Sequence, residues 1–301
     1  MQLVRKFTKS LSLYALIAPT FVLLGIFAMV PFVQAFWTSF FEYEVGGDST
    51  FIGLANYIEY FSDPTLVTSF GNMLILTLFS VVVVMVFPLA VAKLIFSLSS
   101  ERARYLYRVL FLLPIVVPGI AGMLLWRGMI YGDSGLVNEL LRLIGRDDLT
   151  RGWLSDPNTA LWAVALIGFP FAGGINILIY YAGLTGIPES VHDAAQLDGA
   201  SGLKKFFTME VPLLLSQVKL LVILAIIGHI QSFEGMLVLT RGGPGFKTML
   251  PGLWMYFNAF SFQRMGYACA IGVVLFLLTL GLTALNLKYF KTSENLTEAR
   301  T

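Results

Sequence analysis

The chain has little of what metal enzymes, nucleic-acid-binding proteins and disulfide-rich domains need. It contains one cysteine and two histidines among 301 residues. This excludes a disulfide framework and a cysteine metal cluster, and it leaves few nitrogen ligands for a metal. Only 13% of the residues are charged, against about 25% in a typical soluble protein. The formal net charge of +2 provides no basic surface for nucleic acid.

Catalytic motifs are absent as well. The Gly-x-x-x-x-Gly-Lys-Ser/Thr pattern that cradles nucleotide phosphates does not occur, and residues 245–248 (Gly-Phe-Lys-Thr) have the wrong spacing for it. Residues 132–135 (Gly-Asp-Ser-Gly) resemble a fragment of a serine-protease site, but no histidine lies in a predicted outer loop to act as the base. We therefore expect a chain that is not an enzyme and that has no catalytic residue, metal or cofactor of its own.

Apolar residues are abundant instead. They make up 57% of the sequence, and the mean hydropathy is +0.78. Even a 300-residue soluble domain leaves about a quarter of its unfolded surface in water, which is too much for so apolar a chain. The sequence therefore predicts an all-α, polytopic membrane protein in the cell (inner or plasma) membrane. We expect a single transmembrane domain over residues 1–301 that contacts lipid and no nucleic acid.

Apolar stretches predict six transmembrane helices, because about 20 apolar residues cross a bilayer as a helix. Five stretches carry no charged residue, namely 10–41, 64–92, 109–126, 157–188 and 265–287, and a sixth apolar run over about 211–240 is interrupted by Lys219 and Glu234. The helices are predicted over residues 12–40, 69–96, 106–131, 158–184, 211–240 and 265–289. The first apolar region is too long for a signal peptide and is interpreted as an uncleaved helix.

Loop charges predict the orientation of the helices. The N-terminus, loop 97–108 and the C-terminus are rich in Lys and Arg, whereas loop 41–69 has five acidic residues and neither Lys nor Arg. Basic loops stay on the cytoplasmic side of a membrane. Both termini and segment 187–210 are therefore predicted to be cytoplasmic, and loop 41–69 is predicted to lie outside.

Segment 187–210 is the most informative part of the sequence. Pro188 suits the first turn of a helix, and Glu189 and Asp193 favour its positive N-terminal end. Asp198-Gly199 then predicts a turn in which Gly199 adopts a positive φ. On these residues alone, the segment could equally be an amphipathic helix on the inner leaflet or an element that docks on a partner.

The same segment resembles the "EAA" loop of binding-protein-dependent ABC importer permeases. The pattern of that loop is roughly Glu-Ala-Ala, then Asp-Gly-Ala, then Phe and Pro. The corresponding residues here are Asp193-Ala194-Ala195, Asp198-Gly199-Ala200, Phe206 and Pro212. Asp193 replaces the family's glutamate and keeps its charge.

Two further stretches are similar to carbohydrate-importer permeases, and in particular to the maltose-permease-like member of a permease pair. Residues 51–57 (Phe-Ile-Gly-Leu-Ala-Asn-Tyr) resemble an element of the first outer loop. Residues 239–244 (Leu-Thr-Arg-Gly-Gly-Pro), followed by Thr248, resemble a second element. Asn72 stands where the family has a recurrent asparagine, for which we expect a capping or packing role.

The resemblance covers about residues 10–290 and implies both a function and partners. It implies the permease subunit of an ATP-driven carbohydrate importer with a six-helix core and alternating access. The implied partners are a second homologous permease, two ABC ATPase subunits that use ATP and Mg, and an extracytoplasmic sugar-binding protein. In that family the loop helix sits in a cleft on the ATPase. The implied coupling residues are Glu189, Asp193, Ala194, Ala195, Asp198, Gly199 and Ala200.

Polar side chains deep in a bilayer are costly, and their default interpretation is functional. On a continuous fifth helix, His229 and Ser232 would lie within roughly 60° of each other. The resemblance places them where the maltose-type permease lines its sugar site with amides, and it places residues 171–176 near the sugar. The candidate substrate-binding residues are His229, Ser232, Glu234, Phe171 and Asn176.

Each candidate has a structural alternative. His229 could hydrogen-bond a neighbouring helix, and Glu234 could form an ion pair at a subunit interface or an outer gate. The small residues around Phe171 and Asn176 are typical of close helix packing. The alternative function is a secondary transporter or channel for a small polar solute, in which segment 187–210 would have no role. No Lys or Arg falls at predicted mid-membrane depth, which favours a neutral sugar over a phosphorylated one.

Overall fold

The computed structural model describes residues 11–44, 46–170 and 173–289, and it is mostly helical. The α-helices are numbered in chain order. They are α1 (Leu11–Leu24), α2 (Val30–Thr38), α3 (Ala55–Ser62), α4 (Pro64–Phe96), α5 (Glu101–Leu112), α6 (Gly119–Leu125), α7 (Leu136–Leu143), α8 (Ala160–Ala165), α9 (Gly174–Thr185), α10 (Glu189–Leu197), α11 (Gly202–Lys205), α12 (Val211–Leu213), α13 (Leu215–Gln231), α14 (Glu234–Leu239), α15 (Pro251–Tyr256) and α16 (Met265–Tyr289).

Short segments of other types join these helices. One antiparallel pair of strands is formed by β1 (Phe41–Glu42) and β2 (Thr50–Phe51). The 3₁₀ turns of the described ranges are Leu113–Val116 and Asp147–Leu149, and the π-helical turns are Gly25–Met29, Trp126–Ile130, Phe206–Glu210 and Phe257–Ser261. Two of the π turns end two residues before a proline, at Pro31 and at Pro212. A proline ring clashes with the carbonyl of the preceding helical turn, and a wider turn relieves that clash.

Three helical stretches of the described chain are long and apolar enough to cross a membrane. They are Tyr14–Thr38, Pro64–Phe96 and Met265–Lys288, and each overlaps a predicted helix. The second begins five residues earlier than predicted, since the fixed φ of Pro64 suits the first position of a helix. Two further stretches pass the same test only as bent pairs, and counting each pair as one span gives five.

The first bent pair corrects the prediction of one helix over residues 106–131. Glu101–Val116 and Gly119–Ile130 meet at 91°. Val117 between them has an extended backbone with φ −74° and ψ 124°. Because Pro118 disfavours helical backbone at the residue before it, the chain turns at this point.

The prediction of one helix over residues 158–184 is also wrong. Helix α8 ends at Ala165, and α9 begins only at Gly174. Gly168 and Gly173 lie between the two helices with φ of +83° and +95°, which a right-handed helix does not allow. Residues 171 and 172 lie outside the described ranges.

A third interruption lies within the predicted helix 211–240. Helix α13 ends at Gln231, and Ser232 has an extended backbone with φ −74° and ψ 132°. Helix α14 then starts at Glu234. The pair Gly202–Leu213 and Leu215–Gln231 is bent by 68°, so α13 also begins at a bend. The helical angle predicted between His229 and Ser232 therefore does not apply.

Contacts divide the chain into two compact units. One comprises the residues up to Asp63 with Met255–Val274, and the other comprises Pro64–Trp254 with the chain from Leu275 onward. The core of the second unit packs α4, α9 and α13 together. Its fully buried members include Ala92, Tyr180, Leu184 and Leu214. A small residue such as Ala92 at this contact permits close approach of the helix backbones.

The element at residues 51–57 has a structural role in the first unit. The buried Asn56 side chain donates to the carbonyl oxygens of Ser39 (2.9 Å) and Phe41 (3.0 Å). The Tyr57 hydroxyl lies 2.6 Å from the Ser39 hydroxyl. Gly53 has a φ of +59°, which glycine adopts without steric cost. The motif thus fixes the turn that follows α2.

The element at residues 239–248 is a closed turn in the second unit. The hydroxyls of Thr240 and Thr248 lie 2.6 Å apart, and Thr248 donates to the Gly243 carbonyl at 2.8 Å. The Asn72 side chain on α4 donates to the carbonyls of Phe246 (3.1 Å) and Met249 (3.0 Å). Asn72 therefore has the packing role that the sequence predicted, since it ties this turn to α4.

Candidate functional site

A cavity of about 320 Å³ in the second unit contains three of the predicted substrate-binding residues. Asn176, His229 and Ser232 all lie on its lining. Helix α4 supplies one wall through Leu76, Phe79, Ser80, Val83, Val84 and Pro88. None of the described lining residues is Asp, Glu, Lys or Arg. The cavity therefore combines a few uncharged polar groups with an apolar wall, as small-molecule sites commonly do.

The three polar residues reach the cavity because they stand at helix ends. Asn176 lies in the first turn of α9, directly after the left-handed Gly173. His229 lies in the last turn of α13, and Ser232 follows the end of that helix. Helix ends leave backbone N–H or C=O groups without intrahelical partners, which adds further polar groups near the same space. The breaks that the sequence analysis missed thus place polar groups beside the cavity.

Aromatic side chains line part of the cavity. Phe79 on α4 contacts Trp162 edge-on at 5.9 Å between ring centroids. Phe169, in the break before α9, contacts Phe87 at 5.1 Å. These contacts restrict the orientation of Phe79 and Phe169, which both lie on the lining.

The other two predicted substrate-binding residues are not among the described residues of the lining. Glu234 is the first residue of α14, is exposed and is not among the residues that line the cavity. Phe171 lies outside the described residues. No cluster of three or more metal-binding side chains is present in the part of the chain that the structure describes.

Segment 187–210 forms a helix with a well-defined C-terminal cap. Helix α10 runs from Glu189 to Leu197, directly after Pro188, as predicted. Gly199 has a φ of +71°, which confirms the predicted turn. The N–H of Gly199 donates to the carbonyl of Gln196 (3.0 Å), and that of Ala200 donates to the carbonyl of Ala195 (2.9 Å). These two bonds define a Schellman motif, which usually requires glycine at the left-handed position.

The predicted coupling residues mostly face outward. Exposed residues of this set are Glu189, Asp193, Ala194, Asp198 and Gly199, and Ala195 and Ala200 are half-buried. Leu197 at the end of α10 is 89% exposed. The segment therefore presents small, acidic and apolar groups together on an accessible surface.

The sequence analysis missed an ion pair between the end of α4 and the end of segment 187–210. The Lys93 ammonium lies 2.6 Å from both carboxylate oxygens of Glu210. The two residues are 117 positions apart in the sequence. No local sequence pattern indicates such a pair. The position of Glu210 at the edge of an apolar stretch predicts only that its carboxylate has a partner.

Known proteins share both the sequence pattern and this fold. Residues 73–289 match the family described as "Binding-protein-dependent transport system inner membrane component". The chain is 31% identical to the probable ABC transporter permease protein YurN of Bacillus subtilis (strain 168), over 93% of this chain and 96% of that protein. It is 30% identical to the sulfoquinovosyl glycerol transport system permease protein SmoG of Agrobacterium fabrum, over 93% of this chain and 90% of that protein.

A solved structure shows the same fold. It is the crystal structure of a bacterial ABC transporter involved in the import of the acidic polysaccharide alginate. The TM-score is 0.83 at 20% sequence identity, over 97% of this chain and all of that chain. The family match and the curated relatives define a membrane transport permease rather than an enzyme. The chain belongs to the family of binding-protein-dependent transport system inner membrane components, the permeases of ABC transporters, which confirms the family inferred from the loop pattern.

Proposed function

We propose that this chain is the permease subunit of an ATP-driven ABC importer that carries a carbohydrate across the cell membrane. The observation that carries the proposal is the uncharged cavity on whose lining Asn176, His229 and Ser232 meet. Sugars present hydroxyl groups around apolar C–H faces. Amide, imidazole and hydroxyl groups beside aromatic rings can hydrogen-bond the former and pack against the latter.

The carbohydrate is proposed to be neutral. A phosphate or carboxylate in a low-dielectric cavity is favoured by charge-assisted hydrogen bonds from Lys or Arg, and the described lining has neither. The structurally similar transporter imports an acidic polysaccharide, so likeness of fold does not determine the charge of the substrate. Our proposal therefore rests on the lining of this chain rather than on its relatives.

Six membrane spans are proposed, with both termini in the cytoplasm. Three long helices and two bent pairs would supply five spans. The sixth would be formed by α8, the break after it and the apolar helix Gly174–Thr185. Non-helical backbone at membrane depth is tolerated where it lines a cavity, and Phe169 and Gly173 in this break do line the cavity. The distribution of basic loops supports the orientation.

The exposed surface of α10 supports a coupling role for segment 187–210. We propose that it docks on one of two ABC ATPase subunits, which use ATP and Mg, while this chain carries no cofactor itself. A second homologous permease and an extracytoplasmic sugar-binding protein would complete the importer. A helix held by a fixed C-terminal cap transmits displacement better than a flexible loop, because its geometry is retained when the partner moves.

A reconstituted complex tests the proposal. The permease, its partner permease and the ATPase subunits would be placed in proteoliposomes with the sugar-binding protein and a panel of neutral and acidic sugars. We expect ATP hydrolysis to be stimulated only by the binding protein loaded with a neutral sugar, with uptake that depends on ATP. Uptake driven by an ion gradient without ATP would instead support the secondary transporter or channel.

Cavity variants test the substrate site in the same assay. His229→Ala and Ser232→Ala should each weaken uptake roughly 2- to 13-fold, which corresponds to the loss of a hydrogen bond of about 0.5–1.5 kcal/mol. Gln231→Ala is the matched control, since Gln231 is exposed beside them and does not line the cavity. Wild-type uptake kinetics in the His229→Ala/Ser232→Ala double variant would remove both residues from the substrate site.

A further inference from the structure

Glu210 is a buried carboxylate that pairs with the ammonium of Lys93. It is the last residue of the π turn Phe206–Glu210, and its side chain is 1% exposed. Both of its oxygens lie 2.6 Å from the Lys93 ammonium. A buried charge without its partner is strongly destabilising, so the two side chains are held together as long as both are ionised.

The surroundings of Lys93 fix the position of the ammonium. The nitrogen lies 5.5 Å from the ring centroid of Phe96 and 5.9 Å from that of Phe206. A cation over an aromatic face is attracted by the ring quadrupole, so these two rings and the carboxylate of Glu210 all attract the ammonium. Phe96 belongs to α4 and Phe206 to the π turn, so both elements contribute to the contact.

Helix α10 touches the same end of α4. The His192 ring stacks on the Phe96 ring at 6.1 Å with an interplanar angle of 27°. His192, Lys93 and Glu210 line one groove of about 770 Å³. Segment 187–210 therefore contacts the C-terminal end of α4 at two places. His192 makes the contact near the start of the segment, and Glu210 makes the contact at the end of the segment.

The same α4 helix also forms a wall of the substrate cavity. Pro88 lies on the cavity lining and is five residues before Lys93. At about 1.5 Å per residue, the two positions are about 7.5 Å apart along the helix axis. The covalent route from segment 187–210 to His229 passes instead through the 68° bend before α13. Helix α4 is thus a direct and unbroken element between the segment and the cavity.

We propose that Lys93 and Glu210 are positioning residues that transmit movement of segment 187–210 to α4 and hence to the cavity wall. The inference rests on the coupling role proposed above for this segment. Apolar contacts are non-directional and would let the segment slide along α4. An ion pair with two short N···O contacts fixes the position of the two elements relative to each other. The pair therefore moves α4 whenever the segment moves.

The decisive variant removes both charges at similar side-chain volume. Lys93→Met/Glu210→Gln leaves no unpaired buried charge, so we expect the complex to assemble. The quantity to measure is the amount of neutral sugar translocated per ATP hydrolysed by the assembled, reconstituted complex. A merely structural pair would change the amount of complex but not this ratio. We expect the ratio to fall about tenfold, within the usual range of coupling between sites.

Three further variants complete the test. Glu101→Gln removes an exposed carboxylate that pairs with Arg104, and it should leave the ratio unchanged, because exposed ion pairs contribute little. If the double variant does not assemble, Glu210→Asp keeps the charge but shortens the side chain by one methylene. We then expect the lowered ratio in Glu210→Asp and a ratio close to that of wild type in Lys93→Arg, which keeps the positive charge.

A wild-type ratio in whichever of these two variants assembles, Lys93→Met/Glu210→Gln or Glu210→Asp, would overturn the role of the pair. The wild-type complex separates this outcome from failure of the proposed function. If wild-type protein shows no ATP-dependent uptake, the proposed importer function fails. If wild-type protein transports with ATP and the variant does so at the same ratio, only the inference about Lys93 and Glu210 fails.

Discussion

Replacement of Gly199 by valine tests the cap of α10 directly. Gly199 occupies the left-handed position of the Schellman motif with a φ of +71°. A Cβ atom added there would meet no atom within 4 Å, so steric contact with the rest of the chain adds nothing to the effect. The cost is therefore confined to the backbone. It is about 1–2 kcal/mol for an L-residue in this conformation and more for a β-branched one.

This cost translates into a change of population. A free-energy difference of about 1–2 kcal/mol changes the ratio of capped to uncapped segment by a factor of roughly 5–30. If the capped segment is the form that docks on the ATPase, uptake and stimulated ATP hydrolysis should fall by up to this factor. The membrane-embedded cavity contains no part of this segment, so insertion of the Gly199→Val variant into the membrane should be normal.

The matched control is Gly199→Asn. Asparagine is larger than alanine but tolerates left-handed backbone, so it separates the effect of conformation from the effect of size. We expect uptake within about threefold of wild type for Asn and a much larger loss for Val. Equal losses in both variants would show that the docking surface requires a small side chain rather than a particular backbone. Normal uptake and normally stimulated ATP hydrolysis in Gly199→Val would remove the docking role from the segment.

Two further predictions concern stability and are read from thermal unfolding of the purified protein in detergent. Asn72→Ala removes the side-chain hydrogen bonds to the carbonyls of Phe246 and Met249, so it should lower the free energy of unfolding by about 1–3 kcal/mol; an unchanged midpoint would contradict this role. Gly183→Ala places a Cβ 2.5 Å from a methyl carbon of the fully buried Leu214. The resulting overpacking should lower the free energy of unfolding by about 1–3 kcal/mol. Gly228→Ala is its control, since a Cβ there meets nothing within 4 Å, and equal effects of the two substitutions would refute the packing argument.

Composition and loop chemistry were sufficient to predict much of the fold. Long charge-free stretches located α4 and α16, because a helix is the structure that satisfies backbone hydrogen bonds within an apolar segment. The Asp198-Gly199 turn was predicted because few residues other than glycine adopt positive φ readily. Both inferences rest on local chemistry, which the sequence displays directly.

The interruptions of the helices were predictable only in part. Pro118 marks the bend after α5, and Gly168, Pro170 and Gly173 mark the break before α9. These proline and glycine residues are sequence signals for the two interruptions. The end of α13 at Gln231 has no such signal, since the residues that follow it are compatible with a helix. His229 and Ser232 were predicted to act together on the assumption of a continuous helix, and they line one cavity although that assumption is wrong.

The pairing of Lys93 with Glu210 could not be predicted. Helical periodicity relates residues three or four positions apart, whereas these two are 117 positions apart. Their contact depends on how α4 packs beside the end of segment 187–210, which is a property of the tertiary structure. A sequence alone shows that a charged residue near an apolar segment needs a partner, but not which partner it has.

The location of the cavity's polar groups at helix ends has a consequence for how substrate preference can change. A residue in the middle of a membrane helix is constrained by its neighbours one turn away, so a new side chain there must also fit the packing of the helix. Asn176 lies in the first turn of its helix, and Ser232 lies beyond the end of another. Substitutions at these two positions alter the groups that face the cavity while the helices that cross the membrane stay intact. If the cavity binds the carbohydrate as proposed, one scaffold of this kind can serve different carbohydrates through a few exchanges at the breaks.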